Sequence, residues 1–436
     1  MSPAPARERR HLFGVAWPII LSNLSAPLLG FVDTGVIGNL GDAALIGAIA
    51  LGALIFSFLY WGFSFLRMGT TALVAQASGA GDDGELQATV LRAFLLGLVI
   101  GAVILLCREP LAGLAFGIAE GSAAVESAGR EYFLVRIWGA PFFLAHLAIL
   151  GLLLGTQATR AVLGLQLLLN GTNILLDLVF VVGFGWDVAG VAAATVIAEV
   201  IAVIAGVVIT LKRFPTITNH LARVLEPTAL RRTFAMNADI MVRTLTLTFG
   251  FAWFTNQGAR AGDVVLASNA ILLQFVSFSA FFIDGFALAA EAMVGHATGA
   301  TNQTRLSAAV RAAVELSVAA AVVLGALFWL LGDTVVAILT NVPEVASACA
   351  AYLPWVIAAP FISLWSYLLD GVFIGAGRTR EMRNAMLGSL AIYLCAWWVL
   401  QPFGNHGLWL ALMVFFIARA GTLALYLPRI VRPNQI

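Results

Sequence analysis

The sequence predicts an all-α membrane protein: twelve transmembrane helices in two six-helix lobes related by a parallel repeat. Three observations carry that prediction. Of the 436 residues, 61% are apolar and 11% charged, with a mean hydropathy of +0.95, an excess that a surface wetted by water cannot carry. Apolar runs of about 18 residues or more, each long enough to cross roughly 30 Å of hydrocarbon, recur from Leu12 to Leu427, and within lipid such runs satisfy their backbone hydrogen bonds only as helices. Finally, a shift of 220 residues lays one half of the chain on the other: Ser57-Phe58 falls on Ser277-Phe278, Ala77-Ser78-Gly79-Ala80 on Ala297-Thr298-Gly299-Ala300, Leu86 on Leu306, Gly155 on Gly375, and Thr159-Arg160 on Thr379-Arg380.

The spans are placed at 11–36, 44–76, 87–107, 127–153, 161–184, 188–211, 230–255, 264–294, 306–331, 344–373, 384–402 and 406–428. The first follows Arg7, Arg9 and Arg10, holds Pro18 and Pro27, and outruns the length of a signal peptide, so it reads as a retained helix. A shift that maps six spans onto six others preserves direction. The halves are therefore parallel repeats about an axis along the membrane normal, with a central cavity expected between them. Residues 1–211 form the first lobe and 230–436 the second. The stretch 212–229, with Lys212-Arg213-Phe214-Pro215 and Glu226-Pro227, is the linker.

Twelve spans put both termini on one side. Arg7, Arg9, Arg10, Arg160, Lys212, Arg213, Arg223, Arg231, Arg232, Arg305, Arg378, Arg380, Arg383, Arg429 and Arg432 all fall on that side, against Arg108, Arg130 and Arg260 on the other. Basic residues near span ends stay in the cytoplasm, so both termini are expected there, in a multi-pass protein of the cell (inner) membrane.

Composition and motifs exclude several classes of function. Net charge is +1 and the basic residues are scattered, which gives no footprint for nucleic acid. The lipid bilayer is the partner that composition does imply, and a monomer is the expected state. Cys107, Cys349 and Cys395 lie far apart in apolar surroundings, without metal-ligand spacing. His11, His146, His220, His296 and His406 form no paired metal motif, so no enzyme is expected and no cofactor. Lys212 is the sole lysine and follows no glycine-rich loop, so there is no P-loop, and Gly79-Ala80-Gly81 reads as a turn between apolar helices. Two lobes around a cavity form a transporter architecture, and its energy must come from an ion gradient or from a separate subunit.

Acids at membrane depth cost about 2.5 to 3.5 kcal/mol each at a helix centre on insertion scales, so each calls for a function. Asp33 lies in the first span after Pro18 and Pro27, prolines that remove backbone hydrogen bonds and let that helix bend. Asp177 lies in the fifth, with Asn173 one turn before it and Asn170 three residues further back, all on one face. Thr195 of the sixth span adds a hydroxyl to that set. Two carboxylates among amide and hydroxyl oxygens either share protons or coordinate a hard cation such as sodium, and the residues leave that choice open. The 220-residue shift puts Trp253 opposite Asp33 and Trp397 opposite Asp177, so one lobe is specialised for the ion. In the second lobe, Asp239 and Arg243 stand four residues apart and read as an intrahelical neutral pair, while Asp284 and Glu291 share a face. These four are the candidates for substrate contact. Arg67, Arg136, His146, Glu199, Asp370 and Arg419 are read as mutual partners or snorkelling groups.

The twelve-span pattern together with Phe31-Val32-Asp33-Thr34-Gly35-Val36-Ile37-Gly38, Ala75-Gln76-Ala77-Ser78-Gly79-Ala80 and Asn173 with Asp177 resembles the multidrug and toxic compound extrusion (MATE) family, essentially end to end. Arg67-Met68-Gly69-Thr70-Thr71, Asp239-Ile240, Arg243-Thr244, Asn256-Gln257-Gly258-Ala259-Arg260 and Asp284-Gly285-Phe286-Ala287 look like its DinF-like branch. The resemblance implies a cation-coupling site at Asp33, Asn173 and Asp177, with Thr195 carried over on position alone. It also implies a cation-coupled antiporter that exports cationic or amphiphilic small molecules by alternating access, in exchange for protons or sodium. The alternative is a flippase for a lipid-linked precursor.

Overall fold

The computed structural model describes residues 5–38, 43–118 and 122–431; within these, the side chains of residues 5, 26–38, 43–44, 118, 218–219 and 221 lie outside the description, Pro27 and Asp33 among them. Among the described residues there are helices and turns and no strand. The helices are α1 (Pro5–Gly38), α2 (Ala43–Trp61), α3 (Phe65–Ala80), α4 (Asp83–Leu106), α5 (Arg108–Ile118), α6 (Ala123–Arg136), α7 (Ala140–Gly155), α8 (Thr159–Asp177) and α9 (Asp187–Arg213). They continue with α10 (Leu221–Val224), α11 (Pro227–Arg260), α12 (Asp263–Gly299), α13 (Gln303–Leu339), α14 (Pro343–Gly375), α15 (Thr379–Leu400), α16 (Gly404–Tyr426) and α17 (Pro428–Val431).

Two predicted spans are each built from two helices. The span at 44–76 breaks at Gly62, where Phe63 and Ser64 donate to the carbonyls of Tyr60 and Trp61 at 3.0 and 3.1 Å in tight turns, so α2 ends and α3 begins. The span at 127–153 contains a 3₁₀ turn over Ile137–Gly139. Pro141 follows in the first turn of α7, a position where its missing N–H is no loss. The short helix α5 lies between the third and fourth predicted spans, where the sequence pattern gives no helix.

The repeat is visible in how the helices cross. Gly151 and Gly155 of α7 lie against the main-chain oxygens of Arg67 and Thr71 in α3, so close that a Cβ at either glycine would collide. Gly371 and Gly375 of α14 lie in the same way against the main-chain oxygens of Ala287 and Glu291 in α12. All four positions are related by the 220-residue shift. In lipid, where burying apolar surface brings no gain, such small-residue crossings let backbones approach and supply packing energy.

The chain divides into two compact units, Leu21–Asn237 and Met1–Ile20 with Ala238–Ile436. The division falls inside α1 and inside α11, the leading helices of the two repeats. The unit containing Ala238–Ile436 has an aromatic core of Phe254, Tyr393, Trp409, Phe415 and Phe416. In the other unit, the segment between the repeats is packed down rather than loose. Ile217 joins a core with Val74, Leu86, Val90 and Leu152. Buried Arg92 of α4 donates from Nε to the Val224 carbonyl at 3.0 Å and from Nη2 to that of Arg223 at 2.9 Å.

Candidate functional site

In the Leu21–Asn237 unit, polar side chains gather where α1, α8 and α9 meet. The α8 residues Asn170, Asn173 and Asp177 are buried, the last two with no exposed surface at all. Helical spacing puts them on one stripe, which Gln166 extends by another turn. Gln166 Nε2 donates to Asn170 Oδ1 at 3.1 Å, and Asn170 Nδ2 donates to Ser25 Oγ of α1 at 2.9 Å. Asn173 Nδ2 donates to Thr195 Oγ1 of α9 at 3.3 Å, and that hydroxyl donates to its own helix at the Val191 carbonyl, 2.9 Å away. Asn173 Oδ1 is buried with no hydrogen-bond partner among the described residues. Of the predicted residues, Asn170, Asn173 and Asp177 therefore share one buried stripe of α8, and Thr195 is hydrogen-bonded to Asn173. Ser25 and Gln166 are additions that sequence reasoning missed; Gln166 had a signal, since it stands four residues before Asn170 on the same face. Asp33 and Pro27 lie in the part of α1 whose side chains are outside the description. Pro18 is buried within α1, which is helical without a break from Pro5 to Gly38.

Directly after Asp177 the helix widens. Leu178–Gly183 forms a π-helical turn in which the Phe184 N–H reaches the Val179 carbonyl, five residues back, at 3.0 Å. The ring of Phe180 within the turn clusters with those of Phe184 and Trp186 beyond it, with centroids 5.0 to 6.1 Å apart.

The second repeat carries no acid at these positions. Trp253 and Trp397, the counterparts of Asp33 and Asp177, meet edge to face with centroids 5.2 Å apart. Its charges sit elsewhere. Asp239 accepts from Arg383 Nη1 at 2.6 Å and from Thr379 Oγ1 at 3.1 Å. Arg243 pairs with Asp370 of α14. The expected intrahelical pair of Asp239 with Arg243 is thus corrected: each finds its ion-pair partner on another helix, Asp239 on α15 in a part-exposed pair and Arg243 on α14 in a buried one, where a close pair interacts more strongly than in water. Asp370 also accepts from Arg419 Nη2 of α16 at 2.8 Å. The Arg419 guanidinium lies over Tyr367, Phe415 and Phe416, 5.6 to 5.8 Å from their ring centres. Asp284 of α12 acts electrostatically on Arg243. Glu291 is buried at the crossing with α14. Of the four proposed substrate contacts, Arg243 and Asp284 share one network, while Asp239 belongs to another and Glu291 to the helix crossing. Arg136 and Glu199 pair with each other, as do Asp370 and Arg419, in line with the reading of these groups as mutual partners.

Among the described residues, no group of three or more His, Cys, Asp or Glu is placed to hold a metal ion. The oxygens at Asp177, Asn173 and Thr195 are hard donors, of the kind that suits protons or sodium.

Comparison with known proteins gives the family and the fold. The MatE family model matches twice, over residues 18–179 and 240–397, one match in each repeat. The chain is 40% identical over 415 residues to DNA damage-inducible protein F of Escherichia coli, covering 95% of this chain and 90% of that one. It is 23% identical to the probable multidrug resistance protein NorM of Thermotoga maritima, covering 94% and 90%. A crystal structure of MATE in complex with MaD3S has the same fold, with a TM-score of 0.87 at 18% identity over 98% of this chain and 97% of that one.

Proposed function

Because the chain belongs to the MatE family, and a relative of it is described as a probable multidrug resistance protein, we propose that it is a cation-coupled antiporter that exports cationic or amphiphilic small molecules by alternating access. The observation that carries this reading is the buried Asp177 carboxylate, on one stripe with Asn173, which is itself bonded to Thr195. A carboxylate buried at membrane depth is costly to ionise, and binding of a proton or a metal cation changes its charge, so a gradient of either can act on it.

Asp33 completes the proposed site. Ser25 and Asn170 are hydrogen-bonded, and Asp33 stands eight residues beyond the one while Asp177 stands seven beyond the other. At 1.5 Å per residue these are advances of about 12 and 10.5 Å along helices that the span order makes parallel. The contact between Trp253 and Trp397 in the second repeat supports the same pairing. Neutralising the two acids removes the reason for α1 to stay straight, and bending at Pro18 or Pro27 then weakens substrate binding on the outer side. Arg243 and Asp284 are proposed to face substrate, and both termini to lie in the cytoplasm.

The test is export of a cationic dye from proteoliposomes under an imposed proton gradient and, separately, a sodium gradient. The reading expects one of the two to drive accumulation against the dye gradient. Equal, purely downhill movement under both would remove the coupling.

A further inference from the structure

We infer that Glu199 is a positioning residue for the coupling site: its two-point bond to Arg136 fixes α9, and α9, through Thr195, fixes the Asn173 amide with its oxygen free one turn before Asp177. This rests on the reading of Asp177 as a coupling group.

The orientation of that amide is decided by a single proton. The Thr195 hydroxyl donates its only proton to the Val191 carbonyl at 2.9 Å, so towards Asn173 it can only accept. Asn173 must therefore turn Nδ2 to it, at 3.3 Å, and Oδ1 away. That oxygen is buried with no partner among the described residues, one helical turn before Asp177 on the same stripe. An amide oxygen so placed can accept from a protonated carboxyl or join an ionised one around a metal cation.

Thr195 has no freedom of its own, because its bond to Val191 ties it to its own helix. Its place relative to Asn173 is the place of α9 against α8. The margin is small: by about 3.6 Å a side-chain contact has ceased to be a hydrogen bond. What holds α9 there is the next turn. Glu199 stands four residues after Thr195, on the same face. Its two oxygens take both terminal nitrogens of Arg136 on α6, at 3.1 and 2.6 Å, a fork that fixes orientation as well as distance. Arg136 is in turn seated over Phe56 and Tyr60 of α2, 5.2 and 5.5 Å from the ring centres. The second repeat supplies the contrast. There Phe415 stands for Thr195 and Tyr393 for Asn173, and with no amide to orient the acid is gone too: Arg419 takes the place of Glu199 and pairs with Asp370 of α14. Among the described residues, the other buried titratable side chains on the helices packed against α9 are Tyr60 of α2, Tyr132 of α6, His146 of α7 and Asp177 of α8.

Gly139 offers a way to move the pair without removing a charge. A Cβ there would collide with Glu199 Oε2 and Arg136 Nη1, both at the ends of flexible side chains, and the backbone at φ −71° suits alanine. Gly139→Ala should therefore fold, displace the pair and loosen the bond of Asn173 to Thr195. In proteoliposomes, the midpoint of ion-dependent export of a cationic dye should move about three- to ten-fold towards higher ion activity, the worth of one hydrogen bond. Leu154→Ala, a truncation of a buried side chain fifteen residues further along, should lower the melting temperature and leave the midpoint in place. A wild-type midpoint in Gly139→Ala overturns the inference, and so does an equal shift in Leu154→Ala. Should Gly139→Ala not fold, the double variant Arg136→Met, Glu199→Met, which removes the pair and leaves no bare charge, takes its place: a shifted midpoint supports the inference and a wild-type midpoint overturns it. Asp177→Asn is measured beside them. If it has lost ion dependence while Gly139→Ala keeps the wild-type midpoint, the inference alone fails; if Asp177→Asn keeps wild-type ion dependence, the coupling reading fails and the inference with it.

Discussion

Arg136 of α6 and Glu199 of α9 form a two-point ion pair, with Nη1 to Oε2 at 3.1 Å and Nη2 to Oε1 at 2.6 Å, and the guanidinium lies over the rings of Phe56 and Tyr60. The 220-residue shift puts Arg419 at the position of Glu199. Each repeat therefore carries a buried charge at this point of its last long helix, with opposite sign in the two. Glu199→Gln leaves a buried guanidinium without its counter-charge and should cost about 3 to 5 kcal/mol of stability. The double change Arg136→Met, Glu199→Met should recover most of that loss. Denaturant unfolding in detergent measures both, and a double variant no more stable than Glu199→Gln would show that the loss is not electrostatic.

Asp370 serves two guanidiniums, those of Arg243 and Arg419, so it is the member whose loss leaves most charge uncompensated. Asp370→Asn should destabilise the protein more than Arg243→Met does, in the same unfolding measurement. The reverse order would mean that Asp284 and the aromatic rings suffice to hold both arginines.

The segment between the repeats is clamped by Arg92 on its 223 and 224 carbonyls and by an ion pair of Arg223 with Asp82 at 3.1 Å. Arg92→Ala should expose it, read as faster tryptic cleavage after Arg223. The pH dependence follows from Asp82, whose pKa lies below the ordinary carboxylate value, first because the Glu85 N–H donates to it and then because Arg223 stands beside it. A depressed folded pKa gives stabilisation that is full above the ordinary value and lost as pH falls through the lower one. Protection should thus be unchanged between about pH 7 and 5 and weaken only in stronger acid. A loss of protection near neutral pH would point to a different group.

The repeat was legible because it left identical small residues at one offset, and Gly155 with Gly375 now prove to be the points where helices touch. The Asn170, Asn173 and Asp177 stripe was legible because polar side chains recurring at helical spacing in an apolar run must all face away from lipid, towards one another or a shared ligand. The partners of Asp239 and Arg243 were not, since α14 and α15 bring Asp370, Thr379 and Arg383 from more than a hundred residues away, and sequence spacing reports only the neighbour along the same helix. The π turn was hidden for another reason: Leu178-Val179-Phe180-Val181-Val182 is equally apolar in α or π geometry, so periodicity cannot tell them apart.

The proposed adjacency of the first- and fifth-span acids can be checked by cross-linking. In a background lacking Cys107, Cys349 and Cys395, the pair Asp33→Cys and Asp177→Cys should be joined by a short thiol reagent, whereas Asp33→Cys with Leu168→Cys should not. The absence of a link in the first pair, in protein that is folded and labelled at both sites, would separate Asp33 from the site.

The most direct measurement of the central claim is ion flux evoked by substrate in proteoliposomes, for wild type and Asp177→Asn. Asparagine keeps the size and hydrogen-bonding ability of aspartate while removing its titratable charge, so the variant should fold and bind the dye. Wild type should move protons or sodium when dye is added, and Asp177→Asn should move neither. Coupled flux of wild-type size through Asp177→Asn would contradict the account and shift the coupling site away from α8.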